Sequence, residues 1–204
     1  MNKFADVLGS DISLIKTKEN FMDIDDYNKM LKFLDWVSVS QPQNGQHIQE
    51  EIDKVITPEI IEIQNKYNKK IIETATELYG LEFIDDNTHM LAATIATPGA
   101  ITPVHTDIIE GLNREKPKEE ELIDWRNAWD GYLSCNIYIN DDYLDGELFF
   151  PNKDISLRPK PGDLLFFPGN EEYEHGVKHV GDVPIRYVIV GFIKEIGHYE
   201  RNRY

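Results

Sequence analysis

Apolar residues in the first half of the chain recur at helical spacing. In the run DIDDYNKMLKFLDWVSV, residues 23–39, large apolar side chains return every three or four positions, at Tyr27, Met30, Leu31, Leu34 and Val37. This spacing places them on one face of an α-helix. The run therefore predicts an amphipathic helix that packs against a core.

A second helix is predicted to begin at Thr57. Thr57 is a suitable N-cap, Pro58 takes the first helical position, and the acidic side chains of Glu59 and Glu62 favour the positive end of the helix dipole. An apolar stripe follows, formed by Ile60, Ile61, Ile63, Tyr67, Ile71, Ile72, Ala75 and Leu78. Gly80 is typical of the residue that ends such a helix.

After Gly80 the pattern changes from helical to β. Short apolar or alternating runs are separated by Gly, Pro, Asn and Asp, and they read MLAATIAT, YLSCNIYIN, GELFFP, DISLRP, GDLLFFPG and RYVIVGFI. Several short strands at this spacing predict a sandwich or a jelly roll. Together with the preceding helices they predict an α+β chain, in which residues 1–80 are mainly helical support and residues 81–204 form the β core.

One charged segment, residues 108–130, interrupts the predicted strands. Its Glu and Lys residues predict a solvated loop with a short helix. Loops of this length in compact domains often act as lids, and this one directly follows the His105–Asp107 segment. Its aromatic residues Trp125 and Trp129, with Arg126 beside them, would either cover a substrate or fix the segment to the core.

Composition and charge narrow the classes of function. The 204 residues suffice for one domain, residues 1–204, and 41% hydrophobic with 28% charged residues is typical of a globular protein. The 37 acidic against 21 basic side chains give a formal net charge of −16, which disfavours nucleic acid or a membrane surface as a partner. Cys135 is the only cysteine, and the sequence shows no signal peptide and no apolar run of membrane-spanning length. We therefore expect a cytoplasmic protein.

Two histidines and an aspartate form a candidate metal site. His105 and Asp107 follow Pro103 at the end of a strand-like run, where residues two apart point to the same side. His175 is distant in sequence but within reach across a β-barrel. Two imidazoles and one carboxylate on one face of an octahedron leave three positions open, as in the non-haem iron(II) oxygenases. The alternatives are an ordinary solvated or core imidazole at His105 and an exposed turn around His175.

Two predicted strands carry polar side chains at positions that the alternation of their apolar residues could bury. In RYVIVGF, Arg186 shares a face with Val188 and Val190, and a buried guanidinium requires an anionic partner such as a carboxylate. The alternative is a surface arginine at a strand edge. In YLSCNIYIN one face is apolar and the other is polar, the polar face being formed by Ser134, Asn136 and Tyr138. That polar face either lines a cavity or faces solvent.

From Leu91 to Ile193 the sequence resembles the prolyl 4-hydroxylase-like branch of the iron(II)- and 2-oxoglutarate-dependent oxygenases. The resemblance rests on YLSCNIYINDDYLDGELFFP, RPKPGDLLFFPG and EHGVKHVGDVPIRYVIVGFI, which follow one another in the order of that family. It implies a double-stranded β-helix, a form of jelly roll, with N-terminal support helices. One departure is the run LAATIATPGAITPVHTD, which lacks the tyrosine that relatives often carry there.

By this resemblance, His105, Asp107 and His175 form the catalytic triad that binds iron(II). The cosubstrates would be 2-oxoglutarate and dioxygen, with ascorbate as a further candidate cofactor. The implied reaction hydroxylates a prolyl residue, another peptide or amino-acid side chain, or a small metabolite, and releases succinate and carbon dioxide. A halogenase is disfavoured because Asp107 is present.

The same resemblance assigns the cosubstrate site. Arg186 matches the basic residue that pairs with the far carboxylate of 2-oxoglutarate, and Tyr138 matches a tyrosine that hydrogen-bonds the same group. Asn136, on the strand face of Tyr138, is a third candidate cofactor-binding residue. His179 is expected at the surface or behind the metal ligands, because the intervening Gly176 disfavours a helical zinc pair.

Two other functions stay open on the sequence alone. One is a cupin-like, metal-dependent enzyme that does not use 2-oxoglutarate and would not need Arg186 or Tyr138. The other is a non-catalytic binding module on the same fold, which would be expected to lack a metal ligand, whereas all three candidate ligands are present.

Overall fold

The computed structural model describes residues 12–40, 52, 54–84, 92–107, 132–182 and 185–196. Within these ranges the chain forms two long α-helices and nine β-strands. The charged segment 108–130, with its two tryptophans, lies outside the described residues. None of the helices in the described ranges is long and apolar enough to cross a membrane.

Both predicted helices are present. Helix α1 spans Ile24–Ser40 and helix α2 spans Pro58–Tyr79. At the start of α2 the Thr57 hydroxyl accepts a hydrogen bond from the backbone N–H of Ile60 (3.3 Å). Gly80 ends the helix with a φ of 67°, a left-handed conformation that costs glycine little. The capping residues predicted for α2 are therefore confirmed.

The nine strands pair antiparallel in two sheets. They are β1 (Lys16–Lys18), β2 (Ala92–Ala96), β3 (Thr102–His105), β4 (Tyr132–Tyr138), β5 (Leu148–Phe150), β6 (Ile155–Leu157), β7 (Leu164–Pro168), β8 (His175–Val177) and β9 (Arg186–Lys194). The larger sheet has the order β1-β7-β4-β9-β2 and the smaller has the order β3-β8-β5-β6. Together with the two helices, these sheets form the predicted α+β chain with a double-stranded β-helix.

Strand β1 lies in the half of the chain that the sequence pattern predicted to be mainly helical. It pairs with the edge of the larger sheet, where Lys16 lies opposite Phe166 and Lys18 opposite Leu164. Three residues are too few to show a strand period, so the pattern carried no signal for it.

The larger sheet has two differently packed faces. One face packs against α1 and α2 and carries Leu133, Cys135 and Ile137 of β4. The other face points towards the smaller sheet, and the apolar cluster there joins residues of both sheets, among them Tyr138, Leu148, Phe150, Leu165, Phe167 and Val188. Ser134, Asn136 and Tyr138 are all buried on this inner face. The polar face of β4 therefore faces the space between the sheets and not solvent.

Candidate active site

The three candidate metal ligands meet at the edge of the smaller sheet. His105 ends β3 and His175 begins β8, and the two are cross-strand partners with ring centroids 4.5 Å apart. Asp107 follows two residues after His105, and its backbone N–H donates to the carbonyl of Gly169 (3.1 Å). One potential ligand atom from each of the three side chains lies within 4.8 Å of the other two. The arrangement could hold one metal ion.

Backbone hydrogen bonds fix the orientation of both imidazoles. Nδ1 of His105 lies 2.8 Å from the carbonyl oxygen of Pro103, and Nδ1 of His175 lies 3.1 Å from that of Tyr173. Because a carbonyl oxygen only accepts, each Nδ1 carries the hydrogen and each Nε2 keeps its lone pair. The Nε2 atoms of His105 and His175 lie 3.4 and 3.3 Å from the Asp107 carboxylate. Both imidazoles therefore present the nitrogen that a metal needs.

The pKa shifts of the three groups differ in direction. Burial lowers the pKa of His175, although the Asp107 carboxylate opposes that shift, so the neutral ligand form is favoured. The hydrogen bond with Asp107 raises the pKa of His105, because the two groups share a proton that a bound cation would replace. Burial by itself would raise the pKa of Asp107, but interactions with both histidines and with the Ser134 hydroxyl outweigh it and leave that pKa below its ordinary value. The donor set is thus one carboxylate anion with two imidazoles, which fits iron(II).

The side chain of Asp107 is held by Ser134, a residue for which the sequence pattern predicted no specific role. Ser134 is fully buried, and its hydroxyl donates to Oδ2 of Asp107. Gly169 lies against the same carboxylate side chain, since a Cβ added there would be 3.4 Å from the Cβ of Asp107. The sequence placed Ser134 on the polar face of its strand, but its partner lies 27 positions away and outside any period.

Arg186 faces the interior, as predicted from its position in β9. Only 3% of its surface is exposed, and Nε has no hydrogen-bond partner among the described residues. Its guanidinium carbon lies 5.4 Å from the ring centroid of Tyr138 and 5.7 Å from that of Tyr143. The alternative of a surface arginine at a strand edge is therefore wrong. A buried guanidinium in this setting requires an anion.

Several buried polar atoms lack a hydrogen-bond partner in the described part of the chain. They are Oδ1 of Asn136, the hydroxyls of Tyr138 and Tyr143, and Nε of Arg186. Burial raises the pKa of Tyr138 to about 12 and also raises the pKa of Tyr143, so both hydroxyls stay protonated and can donate. Buried polar atoms without partners are rare in folded proteins and point to a bound molecule. The two tyrosine hydroxyls and Nε of Arg186 can donate and match a carboxylate, whereas Oδ1 of Asn136 can only accept.

Of the remaining predicted positions, His179 is exposed at the surface, in agreement with one of its two expected placements. Tyr143 was not among the sequence candidates. It lies in the connection between β4 and β5, where no periodicity indicates which side chains are buried.

Comparison with known proteins gives one family match and several similar structures. The model of the 2OG-Fe(II) oxygenase superfamily matches residues 91–194. The chain is similar to the viral collagen prolyl hydroxylase from Paramecium bursaria chlorella virus-1, solved with 2-oxoglutarate, at a TM-score of 0.62 and 15% identity over 90% of this chain and 96% of that chain. A prolyl-4-hydroxylase from Pseudomonas putida is similar at a TM-score of 0.59 and 16% identity, over 89% of this chain and 92% of that chain.

A third similar structure is a prolyl hydroxylase from Trichoplax adhaerens, solved with a peptide fragment of the oxygen degradation domain of hypoxia inducible factor. It gives a TM-score of 0.59 and 14% identity over 95% of this chain and 89% of that chain. None of the curated protein sequences matches the chain. At such low identity, the structural likeness shows a shared fold.

The family match shows membership of a family, whereas the structural similarity shows only a shared fold. It extends from residue 91, immediately before β2, to the end of β9 and includes the three candidate metal ligands and Arg186. It covers slightly more than half of the 204 residues. The chain belongs to the 2OG-Fe(II) oxygenase superfamily, and it is a 2-oxoglutarate-dependent dioxygenase that uses iron(II) and dioxygen.

Proposed function

We propose that His105, Asp107 and His175 bind the catalytic iron(II) and that Arg186 and Tyr138 bind the distal carboxylate of 2-oxoglutarate. The observation that carries this proposal is a pair of features: a His-Asp-His cluster with correctly oriented donor atoms, and a buried arginine that forms no ion pair with a carboxylate of the described residues. Within one fold, the first feature suits iron(II) and the second suits a dicarboxylate.

The two proposed histidine ligands are held by backbone contacts that do not use their Nε2 atoms. The two imidazoles are fixed through Nδ1, and the ring of His175 packs edge-on against Phe167 at 4.6 Å. When bound, iron(II) would supply the oxidative chemistry that couples decarboxylation of 2-oxoglutarate by dioxygen to hydroxylation of the substrate, giving succinate and carbon dioxide. The protein contributes orientation, charge and exclusion of water.

The cosubstrate residues supply charge and hydrogen-bond donors in a dry environment. Arg186 offers a planar fork for two parallel bonds to a carboxylate, and the Tyr138 hydroxyl offers a third donor. Asn136 lies between Ser134 and Tyr138 on the same face of β4, and the N–H group of its side-chain amide is the donor that we propose as a further contact on the cosubstrate. Because these groups are buried, a ligand that leaves them unpaired is strongly penalised.

The substrate is proposed to approach from the side of His105. The His105 side chain is 41% exposed whereas that of His175 is 6% exposed, so the described part of the site opens towards β3. Ile101 and Val104, exposed apolar residues beside His105, offer contact surface there. We propose a prolyl residue or another peptide or amino-acid side chain as the substrate, with a small metabolite as the alternative. The prolyl hydroxylases of similar fold support testing peptides first.

We also propose that residues 1–204 act as one oxygenase domain. The apolar cluster between α1, α2 and the larger sheet supports this, because β4 and β9 contribute to it together with both helices. The helices therefore cover the outer face of the sheet whose inner face carries Arg186 and Tyr138.

The direct test is an anaerobic titration of the metal-free protein with iron(II) and 2-oxoglutarate, which follows the visible charge-transfer band of the chelate. Wild type is expected to give the band, His175→Ala to lose it, and Arg186→Ala to need far more 2-oxoglutarate to reach it. His179→Ala is the matched control, because His179 is exposed and close in sequence, and it should behave as wild type.

The outcomes separate the alternatives. Metal binding without any band at saturating 2-oxoglutarate would refute the cosubstrate assignment and favour a cupin-like enzyme. A band in wild type, followed in air by succinate release that a proline-containing peptide accelerates, would support the peptide substrate. Acceleration by free amino acids or small metabolites alone would contradict it.

A further inference from the structure

We infer that Tyr143 is a specificity-determining residue of the carboxylate site, where its hydroxyl is the fourth donor to the distal carboxylate of the cosubstrate. This inference rests on the proposed function, since it names a further contact on the same ligand. It would make the site selective for dicarboxylate 2-oxo acids over acids of equal length that lack the distal carboxylate.

The position of Tyr143 carries the first part of the argument. Only 1% of its surface is exposed, although it lies in the turn between β4 and β5 and not in a strand. Its hydroxyl is buried and has no partner among the described residues, and its ring lies beside the Arg186 guanidinium. Tyr138 approaches the same guanidinium with a second unpartnered hydroxyl. Two tyrosine donors thus border one buried cation.

Arg158 and Gly146 hold Tyr143 in this position. Arg158 donates from Nη1 to the carbonyl of Tyr143 (2.7 Å) and from Nη2 to that of Asp145 (2.5 Å), and its guanidinium carbon lies 4.8 Å from the Tyr143 ring. Gly146 lies against the ring, since a Cβ added there would be 3.3 Å from Cδ2 of Tyr143. The side chain is fixed on several sides, so its hydroxyl is preorganised and loses little entropy when it binds a ligand.

The donor count matches a carboxylate. An ionised carboxylate has two oxygens with about four acceptor sites. The Arg186 fork supplies two parallel N–H donors, and Tyr138 and Tyr143 supply one hydroxyl each. A carboxylate would therefore be fully satisfied, whereas a methyl group in its place would leave a buried charge and two hydroxyls without partners.

The test compares two cosubstrates in wild type and in Tyr143→Phe. One is 2-oxoglutarate and the other is 2-oxovalerate, which has the same chain length but ends in a methyl group. Binding is measured anaerobically with the iron(II)-loaded protein, from the charge-transfer band. Loss of a hydrogen bond to a charged group corresponds to a decrease in affinity of about tenfold or more, so we expect Tyr143→Phe to raise the Kd of 2-oxoglutarate by that factor. The Kd of 2-oxovalerate should change less than about twofold, because that acid cannot form the bond.

A matched control is Tyr187→Phe. Tyr187 follows Arg186 directly in β9, but its hydroxyl donates to Ser38 on α1, on the other side of the sheet (2.9 Å). It should leave the Kd of both acids unchanged. Affinity for iron(II) alone should equal wild type in both tyrosine variants, which establishes that they are folded.

Three results overturn the inference in distinguishable ways. If Tyr143→Phe binds 2-oxoglutarate as tightly as wild type while Arg186→Ala weakens it, Tyr143 is not a ligand and the proposed function stands. If Tyr143→Phe weakens both acids equally, its role is packing alone. If Arg186→Ala leaves the binding of 2-oxoglutarate unchanged, the proposed function itself fails.

Discussion

Replacement of Ser134 by alanine tests whether a buried hydroxyl organises the metal site without binding the metal. The hydroxyl donates to Oδ2 of Asp107, while the other carboxylate oxygen, Oδ1, faces Nε2 of His105. With Oδ2 held by Ser134, the carboxylate cannot rotate freely about its own axis. Oδ1 then stays directed towards Nε2 of His105, and Oδ2 stays 3.3 Å from Nε2 of His175. The variant loses this orientation but keeps all three candidate ligands.

The magnitude follows from the kind of bond that is lost. A hydrogen bond to a charged group contributes roughly 1.5–3 kcal/mol, and each 1.4 kcal/mol corresponds to a factor of about ten in affinity. Outer residues that orient metal ligands typically affect metal affinity about 10–100-fold. Since Ser134 is fully buried, water cannot easily replace it. We therefore expect Ser134→Ala to weaken iron(II) binding by about 10–100-fold.

The assay is an anaerobic competition titration of iron(II) against a chelator of known affinity. Ser134→Thr retains a hydroxyl at the same branch of the side chain and should restore much of the affinity. Thermal unfolding of the metal-free proteins accompanies the titration, so that a general loss of stability is recognised. The reasoning is refuted if folded Ser134→Ala binds iron(II) within about twofold of wild type, or if Ser134→Thr is as weak as the alanine variant.

Two further substitutions separate effects on the site from effects on the fold. In Gly176→Ala the new Cβ would lie 2.8 Å from the carbonyl oxygen of Thr102, which forces β3 away from β8 and moves His105 relative to His175. We expect unfolding to be easier by about 1–3 kcal/mol and iron(II) binding to weaken, as measured by thermal unfolding and metal titration, and wild-type metal affinity would contradict this. Thr57→Ala removes the N-cap of α2, far from the candidate ligands in the chain. It should cost about 1 kcal/mol in urea unfolding with unchanged metal affinity, and a loss of metal affinity would show that the helix supports the site more directly than the cap predicts.

The parts of the fold that could be predicted from sequence are those that local residues determine. Helix α2 has a capping threonine, a proline at its first position, an apolar stripe and a terminal glycine, and each of these acts within a few residues. The His105–Asp107 spacing is also local, because an extended chain directs both side chains to one side. Likewise, the alternation of β9 placed Arg186 on the face of its valines, where the structure has it.

The contacts that could not be predicted from the sequence join residues that are distant in sequence or lie in turns. Ser134 is on a face that the pattern identified, but its bond to Asp107 depends on how the end of β3 reaches the larger sheet. Tyr143 owes its burial to Arg158, fifteen positions later, and to the tight turn at Gly146. Strands β3 and β8, with four and three residues, are too short to show alternation, although they carry the two histidines.

Strand β4 explains how the candidate metal ligands and the proposed carboxylate-binding residues, Arg186 and Tyr138, keep a fixed separation. It is paired on both sides, with β7 and with β9, and its pairing with β9 is continuous from Tyr132 to Tyr138. Its inner face holds Ser134 against the candidate ligand Asp107 at one end and Tyr138 beside Arg186 at the other. Its outer face is buried in the apolar cluster of the helices, so the strand cannot slide or twist without disrupting the core. The distance between the two ends of the cosubstrate site is therefore set by the centre of the larger sheet, and not by the loops around it.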